Sequence, residues 1–346
     1  MSHSAEPRLL MRGPLMVDIA GLWPTPEEFE RLRQPAVGGV ILFARNCEDA
    51  QQVQALCQEI HALRSPPLLI GIDQEGGRVQ RLKKGVTRFP PMARLGQKAE
   101  ALGLEAAQSL AYDWGRLLAT ELREIGVDFS FTPCVDLDRG ISRVIGDRAI
   151  HRNPDWVGAI AARLWQGMSD SGLQGVAKHF PGHGAVAADS HLALPRDDRP
   201  LVAIEEDLQP FRSMIQAAIP AIMPAHCLYP QIDPEQPAGF SSRWLTGVLR
   251  GSMGFTGVIV SDDLSMVGAH AAGDMSARVD AAQAAGADLL LVCNDPDGAH
   301  AAIEHLQNQG MQTGTNTLAA LAGDAGIPLS APERARCMRE ITELSC

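Results

Sequence analysis

The sequence predicts an α/β protein folded as a single (β/α)8 barrel of the TIM type. Three observations lead there. Eight short apolar runs occur, at 15–20, 37–43, 67–73, 127–137, 175–179, 221–226, 257–262 and 287–294, with helical patterns between most of them. Most runs are continuous rather than alternating, as parallel strands covered on both faces require. The segments leading into strands are short and rich in Gly or Pro, whereas several leaving them are long: 74–96, 138–153, 180–200 and 227–240. Elaboration at one end of the strands marks the C-terminal face, where barrels carry their chemistry. A doubly wound sheet is the alternative, but no GxGxxG follows an early strand.

The helices follow from spacing. Thr25-Pro26-Glu27-Glu28 combines an N-cap, a proline at the first helical position and a capping-box glutamate. Val53, Leu56, Cys57, Ile60 and Leu63 share one helical face, as do Leu110, Trp114, Leu117 and Leu118. Val157, Ile160, Leu164, Trp165 and Met168 repeat the pattern, and so do Leu208, Phe211, Ile215 and Ala218. The aromatic residues among them read as helix-to-sheet packing. One domain is expected over 1–346, with the barrel core over about 15–309 and a helical tail, 310–346, packed outside it.

Bulk properties narrow the function. The net charge is −11, with no basic cluster, which argues against nucleic acid or an anionic membrane as partner. No apolar stretch approaches the eighteen or so residues of a membrane span, and the N-terminus lacks a signal-peptide layout. The seven cysteines are scattered without a CxxC pair, so neither a disulfide framework nor a zinc ribbon is indicated. A cytoplasmic, monomeric protein is expected.

Nearly every run ends in a polar group: Asp18, Arg45, Asp73, Asp136, Lys178 with His179, His226, Asp262 and Asn294. Their convergence on one rim suits a small, hydroxyl-rich ligand. In DQEGGRVQR at 73–81, Asp73 can accept two vicinal hydroxyls and Arg81 can return over the rim. Glu75 reads as a structural partner for an arginine. Arg148 is a second candidate clamp, oriented by Asp147; a surface salt bridge is the plain alternative for each arginine. In SDDLSM at 261–266, Asp262 closes the strand and is the better candidate to face the pocket, while Asp263 suits a cap or a backbone bond.

The stretch 178–191, KHFPGHGAVAADSH, holds three of the ten histidines. Lys178 and His179 belong to a strand end. Asp189 and His191 belong to a glycine-containing loop, where the carboxylate can orient the ring and raise its basicity. A metal site built from His179, His183, His191, His226 and Asp262 is the competing idea. No HxH or HExxH pair supports it, and Lys178 would repel the ion, so neither a metal nor any other cofactor is expected. His183 is read as shaping the loop with Gly182 and Gly184.

Together, DQEGGRVQR, KHFPGHG, DSH at 189–191 and SDDLSM resemble the bacterial β-N-acetylglucosaminidases of glycoside hydrolase family 3, and more closely their single-domain, peptidoglycan-recycling form. The resemblance spans roughly 15–300 with the motifs in order. It implies a retaining exo-glycosidase acting on saccharides or muropeptides, specifically N-acetylglucosaminyl-anhydro-N-acetylmuramic acid with or without peptide. Asp262 would be the nucleophile, His191 the general acid/base and Asp189 its partner. Asp73, Arg81, Arg148, Lys178 and His179 would bind the sugar. A neutral histidine in place of a carboxylate acid would also repel an incoming phosphate less, which leaves phosphorolysis open beside hydrolysis. Two other readings stand beside this one: a metal-dependent barrel hydrolase and a non-catalytic sugar-binding barrel.

Overall fold

A computed structural model describes residues 12–187, 194–310 and 316–344. Eight parallel strands form the barrel: β1 Leu15–Val17, β2 Val37–Leu42, β3 Leu69–Ile72, β4 Phe129–Ser130, β5 Gln174–Phe180, β6 Ala221–Pro224, β7 Val258–Ile259 and β8 Leu290–Val292. Each pairs with its neighbours in sequence, and β1 pairs with β8. Closure between β7 and β8 comes from a parallel bridge, Val260 to Leu289, and from the Ser261 N–H donating to the Leu289 carbonyl at 2.8 Å. All the expected runs contain a strand. The longest, 127–137, yields only two paired residues before Pro133, which has no N–H to donate, plus one bridge from Cys134 to Lys178.

Around the sheet lie α1 Pro26–Leu32, α2 Ala50–His61, α3 Ala93–Leu102, α4 Leu104–Glu124, α5 Pro154–Asp170, α6 Leu201–Gln216, a π-helix Arg243–Ser252, α7 Met275–Ala285 and α8 Pro296–Asn308. The capping box at Thr25 is present, with both reciprocal bonds made. The predicted apolar faces of α2, α4 and α5 are buried, with Leu63 only partly so; on α6, Leu208 and Phe211 are buried and Ile215 partly so, whereas Ala218 lies exposed beyond the helix end at a φ of 59°. Two apolar layers result, one between helices and sheet and one inside the barrel. The inner layer holds Met16, Ile41, Leu69, Phe129, Phe131 and Val176 among others. Gly71 makes room for it, since a Cβ there would sit 2.6 Å from the Phe129 ring.

The tail departs from expectation. Helix α9, Ala331–Glu343, does pack outside, on α4, where Arg336 pairs with Asp113 and Arg116 with Glu333. A 3₁₀ segment, Asn316–Leu321, instead sends Leu318 and Leu321 into the inner layer. The open end of a barrel exposes the inner layer, and apolar side chains from a passing segment can cover it.

Among the described residues, no helix is long and apolar enough to cross a membrane. The six described cysteines are free thiols.

Candidate active site

A cavity of about 680 Å³ opens at the C-terminal ends of the strands, within the range of small-molecule sites. It is lined by Asp73, Arg81, Arg148, Lys178, His179 and Asp262 from the sequence-based expectation, and by Asn294. It also has an apolar floor that the expectation lacked, including Phe43, Phe131, Met223 and Leu291. Alternation along the strand after Phe129 is the signal that would have found Phe131.

Asp73 follows β3 directly. An antiparallel hairpin comes next, Gln74–Gly76 with Val79–Gln80, turning through Gly76 and Gly77 at φ values of 119° and 55° that only glycine adopts readily. The Gln74 amide locks it by accepting from the N–H groups of Arg81 and Leu82 and donating to the Leu82 carbonyl. Glu75 is thereby buried beneath the rim. Its two oxygens accept from Arg148 Nε and Nη2, each at 2.8 Å, and Lys178 Nζ lies 2.7 Å from it. Lys178 Nζ also donates to Asp73 Oδ1 at 2.7 Å, and Arg81 Nη2 to Asp73 Oδ2 at 3.1 Å. Burial alone would raise the Glu75 carboxyl; the Arg148 guanidinium and Lys178 ammonium outweigh it and hold it at about 2. Asp73 is held low for the same reason by Lys178 and Arg81. Burial acts against the charge on Lys178, but the two carboxylates raise it above its ordinary value.

Asp136 is the post behind the strand-end histidine. Its carboxylate accepts from His179 Nδ1–H at 2.6 Å and from the backbone N–H groups of His179 at 3.4 Å and His183 at 2.6 Å. Burial would raise Asp136, and the pairing with His179 outweighs it, keeping Asp136 ionised. The ring is thus oriented, with Nε2 facing Arg148 at 3.5 Å.

On the opposite side, Asp262 ends the β7 segment half-buried, accepting only from the neighbouring Asp263 N–H at 2.9 Å among the described residues. Asp263 also lines the cavity, but its carboxylate is committed to local bonds, as expected. It accepts from Ser265 N–H and Oγ–H and from Cys293 N–H, and burial pushes its carboxyl up to about 6.

Several expectations need correction. Of the strand-end groups, Asp18, Arg45, Asp136 and His226 do not line the cavity. Asp18 and Arg45 pair with each other, and His226 is buried against Phe240. Asp147 does not orient Arg148; it pairs with Arg78, while Glu75 takes Arg148. His183, read as a loop-shaping residue, is buried and lines the cavity. Asp189 and His191 lie outside the described residues. Among the described residues, the one set of potential metal ligands with donor atoms within 4.8 Å of one another is Cys134, Asp136 and His179. Of the histidines weighed for a metal site, only His179 is in it.

Known proteins share this family and fold. The family model "Glycosyl hydrolase family 3 N terminal domain" matches residues 15–319. A β-hexosaminidase of Bordetella avium is 52% identical over 308 residues, covering 88% of this chain and 87% of the relative. The structure of NagZ from Neisseria gonorrhoeae in complex with N-trifluoroacetyl-D-glucosamine aligns with a TM-score of 0.87 at 42% identity, covering 97% of this chain and 99% of that one. A glycoside hydrolase family 3 β-N-acetylglucosaminidase from Paenibacillus aligns with the same TM-score at 31% identity, covering 99% of this chain and 69% of the other.

Proposed function

We propose that this chain, which belongs to glycosyl hydrolase family 3 and is a β-N-acetylhexosaminidase, removes terminal N-acetylglucosamine from peptidoglycan fragments with retention of configuration. The observation behind the reading is a single cavity that joins a half-buried carboxylate, Asp262, to the charged cluster of Asp73, Lys178, Arg148 and His179.

The cluster grips the ring. Asp73 offers carboxylate oxygens to vicinal hydroxyls while Lys178 and Arg81 hold it in place, so the sugar is oriented before reaction. His179 offers Nε2 to a further hydroxyl, its Nδ1–H being committed to Asp136. Asp262 then attacks the anomeric carbon, and the bond to the leaving oxygen breaks as His191 protonates that oxygen. In the second step His191 takes a proton from water, the water oxygen bonds to the anomeric carbon, and Asp262 is released. Asp189 stabilises the imidazolium that gives up its proton in the first step and re-forms in the second; between the two the ring is neutral.

The aglycone is an anhydro-N-acetylmuramic acid unit with or without its peptide, and the setting is cell-wall recycling in the cytoplasm by a monomeric enzyme. An anionic aglycone fits the mouth of the cavity. Arg78 pairs with Asp147, Arg81 with Asp73, Arg148 with Glu75, and Lys178 with both Asp73 and Glu75. Among the described residues, Arg143 is the one cavity-lining arginine or lysine for which no carboxylate partner exists.

A chromogenic N-acetylglucosaminide assay tests the reading, run with and without EDTA on wild type and Asp262→Ala. Expected are chelator-insensitive turnover and an inactive variant carrying no covalent sugar. Near-wild-type turnover by the variant would sink the nucleophile assignment, and loss with EDTA would favour a metal-dependent hydrolase.

A further inference from the structure

His183 is the residue in the cavity whose chemistry the reaction above leaves unused. Its residue exposure is 2%, and neither Nδ1 nor Nε2 has a hydrogen-bond partner among the described residues. A buried imidazole in that condition has given up its hydration without replacement, and such groups in native structures call for an explanation. The ring lines the cavity that also holds Asp262 and His179, and it meets the His179 ring edge-on with centroids 6.0 Å apart. Burial lowers its pKa, which leaves a neutral ring near neutral pH with one N–H and one lone pair to offer.

The lack of a partner is not sufficient by itself. His226 is also buried with both ring nitrogens unpartnered, but it stacks on Phe240 at 5.0 Å and does not line the cavity. His183 differs in facing the space a ligand would fill. Its backbone is also pinned. The His183 N–H donates to Asp136 at 2.6 Å. A Cβ on Gly182 would come 2.7 Å from the Asp207 Cβ, and one on Gly184 would come 1.9 Å from the Leu137 carbonyl oxygen, so the chain on both sides is pressed against the fold. The ring is therefore held in position with its hydrogen-bonding capacity open.

We propose that His183 is a further substrate-contacting residue, whose neutral ring exchanges hydrogen bonds with hydroxyl or amide groups of the sugar bound beside Asp262. The inference rests on the reading of this cavity as the N-acetylglucosaminide site. It assigns to the KHFPGHG segment a third sugar contact besides Lys178 and His179, made from the loop rather than from the strand.

The test compares wild type with His183→Leu and His183→Asn by thermal midpoint, by kcat and KM on the chromogenic substrate, and by calorimetric binding of N-acetylglucosamine. For His183→Leu, the midpoint should hold or rise, because an apolar side chain replaces an unsatisfied polar one, while kcat/KM falls about tenfold. His183→Asn should recover part of the loss. A folded His183→Leu with kcat/KM within about twofold of wild type would overturn the proposal, as would a midpoint that falls in step with activity. A second measurement works on the wild-type protein even if the variants fold poorly. With 15N-labelled histidine, the His183 ring signals should shift on saturation with N-acetylglucosamine, and unchanged signals would overturn it. Failure here is separable from failure of the functional reading. An active Asp262→Ala enzyme removes the premise, whereas an inactive one with unaffected His183 variants removes only this inference.

Discussion

The two sides of the cavity are built on opposite principles. On the β3–β5 side, charges are buried and saturated: Glu75 meets Arg148 and Lys178, Asp73 meets Lys178 and Arg81, and Asp136 meets His179. On the other side, Asp262 accepts a single neighbouring N–H, and the His183 ring, carried into the cavity by the loop after β5, has no partner at all among the described residues. A charge-paired network fixes geometry, and the lone pairs that Asp73 keeps beyond its bonds to Lys178 and Arg81 are held in place for the sugar. An unsaturated one keeps its capacity for whatever enters. In the proposed reaction the first side holds the sugar and the second carries the bonds that change. Damage to the first should therefore appear mainly in stability and sugar binding, and damage to the second mainly in turnover.

The sharpest way to break this contrast is at Asp262. Asp262→Ala should lower kcat on the order of 10⁴-fold or more, as loss of a nucleophile does, yet leave the thermal midpoint almost unchanged, because the carboxylate has only one local hydrogen bond to lose. A large drop in midpoint would show that Asp262 is structural and that the two sides do not differ as described. His191→Ala should be nearly as damaging on substrates with poor leaving groups and milder on activated ones. Equal losses across leaving groups, followed by steady-state kinetics, would remove His191 from the role of acid.

Glu75→Gln tests the saturated side. It removes the charge that Arg148 and Lys178 share, and breaking a buried ion pair from one partner costs about 3–5 kcal/mol. Chemical denaturation should register that loss, and KM should rise with it because Arg148 and Lys178 are freed to shift. A variant as stable as wild type would mean that the network carries no structural duty. Its pH dependence follows with a definite sign. Glu75 is held at about 2 against an ordinary value of 4.5, so its contribution is fully present above pH 4.5 and is lost as pH falls toward 2. Wild type should lose stability across that window, and Glu75→Gln should give a flatter curve when chemical denaturation is repeated along the same pH series. Identical slopes would assign the acid lability to other carboxylates.

How much of this was legible follows the same division between local and distant relations. The strands could be read because parallel strands demand continuous apolar runs. Asp73, Lys178, His179 and Asp262 could be read because each stands where a run stops. Which strand-end groups enter the cavity could not, since a shift of one residue reverses the face a side chain presents; this is why Asp18 and His226 were grouped with the others. The pairings were out of reach for another reason. Arg148 lies 73 residues from Glu75 and Lys178 lies 105 from Asp73, so only the closed barrel joins them. Asp147 was the nearer partner for Arg148 in sequence and the wrong one in space. His183 misled because a histidine between two glycines resembles a solvated loop, whereas those glycines are small in order to pack. Leu318 and Leu321 gave no periodic signal, since a 3₁₀ segment covering a barrel end buries only the side chains that reach it.

The smallest effect is expected where the cavity meets solvent, at Arg143, and it extends the contrast to the aglycone. Arg78 donates to the carbonyls of Arg143 and Ile145 at 3.2 Å each and to that of Val144, bracing the loop from which Arg143 projects. The loop is therefore held while its exposed guanidinium has no carboxylate partner among the described residues. An exposed charge in water contributes only about 0.2–1 kcal/mol to a partner, so Arg143→Ala should raise KM no more than about fivefold, and only for substrates whose aglycone carries a carboxylate. A neutral nitrophenyl glycoside should be unaffected. The difference should also shrink as salt is raised from low ionic strength, because the contact is screened. Equal KM changes for charged and neutral aglycones would mean that Arg143 acts through the shape of the loop rather than through its charge, and the mouth of the cavity would then be indifferent to what the sugar is attached to.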